Sequence, residues 1–199
     1  MMKKYIALFI LLFFCFGFSS PHSGIIARKN ASGGGGCDTA TNEVGDRVEE
    51  SGTVALNADI AICFPGTADC TGTLYQAYLY HQDTNASNAK IGIYTDQDAG
   101  ADPGIGDLQV GVSGVIAGST STGWKASAAS IGGSVTSSAN YWVCIFVESG
   151  GSSWLAKSGD GAGAYYVLGS GMYATPPANL DETWLALSES PISAYINIE

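Results

Sequence analysis

Basic residues are scarce. Eight Lys and Arg stand against 18 Asp and Glu in 199 residues, for a formal net charge of -10, and there are only two histidines. A chain this acidic repels phosphate backbones and anionic lipid, which excludes nucleic acid and a membrane surface as main partners. Charge of either sign is thin as well: 13% of residues, about half the usual share, too little for a coiled coil or a long solvent-facing helix. The 46% hydrophobic content excludes a disordered acidic tail, because it can fill a core.

Catalytic signatures are missing too. No GxSxG occurs, no Gly-Lys-Ser/Thr follows the glycine run at 33–36, and no E-x-D-x-E strand of the glycosidase type is present. A Ser-His-Asp triad would have to use His81, and His81 alternates onto the face of Leu79 and Ala77, as a packed histidine does. Zinc has little support: there is no CxxC pair, and His81 is the only histidine beyond residue 22. A carboxylate pair for polysaccharide hydrolysis leaves no spacing signal, so a hydrolase stays as the third-ranked function.

What is present begins with an address. Lys3 and Lys4 precede an uncharged apolar run from Tyr5 to Phe18, 14 residues long. A spanning helix needs about 20, so residues 1–19 read as a signal peptide cut after Ser19, with an uncleaved anchor as the rival. Residues 20–36, with four consecutive glycines, read as a flexible linker. Residues 37–199 form the expected domain. In it Arg47, Lys90, Lys125 and Lys157 face all 18 acids, a formal -14.

Four cysteines remain in that domain: Cys37, Cys63, Cys70 and Cys144. An exported chain with an even number of cysteines is expected to form two disulfides. Cys63 and Cys70 flank Pro65-Gly66, which favours a reversal, so the expected pairs are Cys63–Cys70 and Cys37–Cys144.

The side-chain period is two. Leu108, Val110, Val112 and Ile116 fall on one face; so do Ile91 and Ile93, and Ala194, Ile196 and Ile198. Residues 140–148, NYWVCIFVE, are apolar on both faces, as in a central strand. Residues 73–82 are tyrosine-rich, which suits a strand, and 53–63, 123–129, 153–157 and 164–169 are further candidates. Turn clusters separate them, so eight or nine strands in an all-β sandwich or barrel are predicted.

Lys90 to Asp96 (KIGIYTD), Pro103-Gly104, the alternating Leu108 to Val112, Gly123-Trp124 and Tyr141-Trp142-Val143 together resemble a module of secreted and phage-tail-associated β-sandwiches. The resemblance covers under half the chain. It implies a two-layer antiparallel jelly-roll-like sandwich similar to carbohydrate-binding modules.

Two constellations carry candidate chemistry. Asp96, Asp98, Asp102 and Asp107 are interleaved with glycines in one loop. Calcium is the cofactor such oxygens would hold, and a solvated turn is the alternative. The second is aromatic. Tyr78 and Tyr80 share a strand face with Gln76 and would line an outer platform, while Trp154 and Trp184 are further ring candidates. Trp124 and Trp142 read as core. The leading expectation is a secreted, non-enzymatic module that binds carbohydrate or another ligand on a cell surface or matrix through these rings. The main alternative is a structural subunit of an appendage, matrix or tail, in which copies self-assemble through sheet edges.

Overall fold

The computed structural model describes residues 37–49, 53–56, 60–81, 87–97, 102–104, 107–118, 121–148, 152–155, 164–168, 171–181, 183–187 and 192–199. The expected signal peptide and linker lie outside the described residues. There is no helix among the described residues, and hence none long and apolar enough to cross a membrane.

Thirteen strands are present among the described residues, more than the eight or nine expected, because several are very short. They are β1 (Glu43–Gly45), β2 (Thr53–Leu56), β3 (Ile60–Thr67), β4 (Gly72–His81), β5 (Ala89–Thr95), β6 (Gln109–Val112), β7 (Gly123–Ala126), β8 (Ser134–Val135), β9 (Asn140–Val147), β10 (Ser152–Leu155), β11 (Ala164–Leu168), β12 (Leu185–Leu187) and β13 (Ala194–Ile198). One sheet runs β1-β13-β4-β7, with β8 paired to the start of β4. The other runs β12-β11-β3-β9-β5-β6. All pairings are antiparallel, and β2 with β10 forms a separate ribbon. The chain crosses repeatedly between the layers, so the fold is an all-β sandwich.

The alternation sets the core. Leu74, Ala77 and Leu79 from β4, with Ala194, Ile196 and Ile198 from β13, meet Ile91 and Ile93 from β5 and Val143, Ile145 and Val147 from β9. His81 follows the same alternation and is fully buried, the packed position expected for it. β6 departs from its expected pattern: Leu108 is exposed, while Ile116 is buried. The ladder between β5 and β6 slips at Ile93/Tyr94, which breaks the alternation at that edge.

β9 is central, as its doubly apolar sequence requires. β3 flanks it on one side and β5 on the other. Its second face carries Trp142, Cys144 and Phe146, which pack with Tyr94, Leu180 and Trp184. The segment at 171–184 supplies the cover. Tyr94 donates its hydroxyl to the Pro177 carbonyl at 2.9 Å, the Leu180 amide bonds Asp107 O at 3.0 Å, and Leu108 bridges Asn179. Gly92 makes room for this layer: a Cβ there would lie 2.8 Å from Cε2 of Tyr94 and 3.1 Å from Cε2 of Phe146.

The same burial pushes the Tyr94 phenol from 10.0 up to about 12, with the Gln109 hydrogen bond opposing slightly. The folded value is raised, so the associated stability is complete below the unfolded value near pH 10 and is lost as pH climbs toward about 12. Tyr94 alone then adds a loss of up to about 1.4 kcal/mol per pH unit in that window. Urea denaturation between pH 9 and 12 should show a shallower decline in Tyr94→Phe; identical slopes in both proteins would refute Tyr94's share.

The two disulfides are Cys37–Cys70 and Cys63–Cys144. The expected pairing is therefore corrected. Pro65-Gly66 does not reverse the chain. β3 continues through both residues to Thr67, carrying the chain roughly 13 Å past Cys63 at about 3.3 Å per residue. Cys70 thus ends beside the domain entry at Cys37. Cys63 lies directly opposite Cys144 in the β3–β9 ladder. Their Cα atoms are 4.0 Å apart, the close approach of a non-hydrogen-bonded pair. Pro65 has the parity of Cys63, so its nitrogen points away from β9 and no bond of the β3–β9 ladder is lost. Two disulfides of this kind indicate an oxidising compartment.

Candidate functional site

The face of β4 and β13 turned away from the core is aromatic. Inward Ala77 and Leu79 leave Tyr78 and Tyr80 outward, and inward Ala194 and Ile196 leave Tyr195 outward. The register then places rings side by side. Tyr195 is opposite Tyr78, and Tyr80 is opposite Trp124 on the edge strand β7. Tyr78 and Tyr195 stack at 4.8 Å with planes 12° apart, and Trp124 meets Tyr80 at 5.2 Å and Tyr195 at 5.0 Å edge-on. Four rings therefore form one continuous patch, in geometries that rings favour.

A bulge shapes one end of this patch. Ala77 pairs with Ile196 and Leu74 with Ile198, so β4 carries one residue more than β13 across this interval. Gln76 lies in the extra stretch. Its amide donates to Ser127 O at 2.6 Å, and its carbonyl accepts from the Tyr78 hydroxyl at 2.8 Å. The expected grouping of Gln76, Tyr78 and Tyr80 is thus present. Trp124, expected in the core, is a half-buried member of the outer patch, and Tyr195 joins it; both follow from strand order, which the sequence does not display.

Charged groups frame the rings. Arg47 lies over the Tyr195 ring, 4.5 Å from its centre. Each nitrogen of its guanidinium has a partner: one pairs with Glu43, one donates to Ala40 O and one to Asn197 Oδ1 at 3.2 Å. At the other end the Trp124 indole N–H donates to Glu49 Oε1 at 3.0 Å. Tyr80's phenol is raised above its ordinary value, first by desolvation and then by the charge and hydrogen bond of Glu49. Tyr195's phenol is raised as well, mainly by burial, against the opposing pull of Arg47.

The other expected residues are placed differently. Trp184, expected at a binding surface, is only 8% exposed and packs in the layer over β9. Burial under the 171–184 segment removes it from any open face. Trp154 sits on β10, opposite Val54, and β10 runs close to β4. Its side chain lies outside the described residues. In the acidic loop, Asp107 is buried and acts as a latch: one carboxylate oxygen accepts from the Gln97 amide at 2.9 Å and the other from the Gly104 amide at 3.0 Å. Asp96 is half-buried and Asp102 exposed, and Asp98 lies outside the described residues. Among the described residues no three His, Cys, Asp or Glu side chains gather in a way that could hold a metal ion.

The patch offers flat apolar faces beside fixed acceptors and donors. Such a combination can stack on and hydrogen-bond a partner. No family model matches the chain, and no curated protein matches it.

Proposed function

We propose that this protein is an exported, non-enzymatic binding module whose outer β4–β13–β7 face takes up carbohydrate on a cell surface or matrix. One observation carries the reading: the half-buried Tyr78, Tyr80 and Trp124, joined through the buried Tyr195, form a partly exposed ring patch whose rim residues Gln76 and Glu49 are held in place by hydrogen bonds. Sugar rings present C–H faces to such a surface and hydroxyls to its rim. The strand positions of the rings hold them in the free protein, which lowers the cost of ordering on binding. Export fits the disulfides and the apolar amino-terminal run. Trp154 belongs to the proposal because β10 runs beside β4.

The test is a glycan-binding screen with the full chain, followed by Tyr80→Ala and Trp124→Ala on the best ligand. Each truncation should weaken binding by about 10- to 100-fold, the worth of one well-stacked ring. Leu185→Ala, at a 51% exposed position on the other sheet, should leave binding unchanged. Absence of any glycan ligand, or full affinity in both ring variants, would reject the proposal.

A further inference from the structure

The charge around the ring patch specifies its ligand further. We infer that, given the binding role just proposed, the patch selects glycans that carry free amines, as de-N-acetylated amino sugars do, over neutral or acidic ones.

Two contacts on the face support this. Glu49 is held at the edge of the two half-buried rings Tyr80 and Trp124 by the Trp124 indole N–H at 3.0 Å. A carboxylate fixed beside ring faces is a site for an ammonium group, which gains an ion pair and a cation–π contact together. The face already holds one cation in this way, since the Arg47 guanidinium rests on Tyr195.

The same arrangement disfavours an anion. Arg47 is already paired with the Glu43 carboxylate, which offsets its charge toward an incoming carboxylate or sulfate, and it also donates to Ala40 O and Asn197 Oδ1. Lys125 follows Trp124 on β7 and so projects to the opposite side of that strand; its ammonium bonds Ser121 Oγ at 3.0 Å. The formal -14 over residues 37–199 adds a long-range field that gathers cations and repels anions.

Calorimetric titration of the full chain with chitosan oligomers, and with N-acetylated oligomers of equal length, at mildly acidic pH separates the cases. The amine form should bind about 10-fold tighter at low salt, since an exposed ion pair and a cation–π contact each give a few-fold. The preference should shrink as salt screens it, and Glu49→Gln should abolish it, with the amine oligomer losing more affinity than the N-acetylated one. Trp124→Phe keeps a ring but frees Glu49, and should reduce the preference in the same direction. Equal binding of the two oligomers, or a preference that survives Glu49→Gln, would overturn this inference and leave the broader binding role standing. Binding of neither oligomer, with no other glycan bound, would overturn both.

Discussion

Replacing Cys63 and Cys144 together by alanine should lower the unfolding free energy by about 4 kcal/mol, the larger of the two disulfide effects. The bond joins residues 81 apart in sequence, while Cys37–Cys70 joins residues 33 apart. Chain-entropy arguments assign about 4.5 kcal/mol to the first loop and about 3.8 kcal/mol to the second. The loss falls mainly on the unfolded ensemble, so the folded form of the variant should persist. β3 and β9 stay joined from Ala61–Phe146 to Thr67–Asn140 by ladder bonds that owe nothing to sulfur. The expected result is a native-like circular dichroism spectrum at low temperature with a much lower denaturation midpoint. A change below about 1 kcal/mol would mean that the ladder alone sets the pairing of these strands.

Trp142→Ala should cost about 3–5 kcal/mol, within the range for emptying a large buried aromatic site. Trp142 is the bulkiest fully buried side chain among the described residues, and it meets the Tyr165 ring edge-on at 5.7 Å. Its neighbours are of two kinds. Cys63, Cys144 and Phe146 belong to the sheet, whereas Leu180, Met172, Tyr173 and Trp184 belong to the cover. The sheet residues cannot move into the void without breaking ladders, so the cover must loosen. Trp142→Phe should cost less. It keeps most of the packing and removes a buried indole N–H that has no acceptor among the described residues. Near-ultraviolet circular dichroism and urea denaturation of both variants would check the order. An alanine variant as stable as the phenylalanine one would show that the cover contributes little.

The parts legible in the sequence are those that periodicity governs. Ala194, Ile196 and Ile198 point inward as their alternation requires, and β9 is buried on both sides as NYWVCIFV demands. Tyr78 and Tyr80 point outward for the same reason. Periodicity separates the two faces of a strand, yet it leaves open which strands become neighbours and what lies over the second face. Trp124 therefore read as core, although β7 is an edge strand with Tyr80 beside it. Trp184 read as exposed, although the 171–184 segment folds back over β9. The cysteine pairing failed on a local signal. Pro65-Gly66 favours a turn in isolation, but the ladder to Trp142 and Tyr141 holds both residues extended. Glu49 carries no motif and became part of the site only through the position of Trp124.

The 171–184 segment covers one broad side of the sandwich while rings on the other side stay partly exposed, so the two faces differ. Bound flat on an insoluble polymer, the protein should lie one way up. Lys90, which rests over Tyr173 on the covered side, would then stay reactive to amine-labelling reagents.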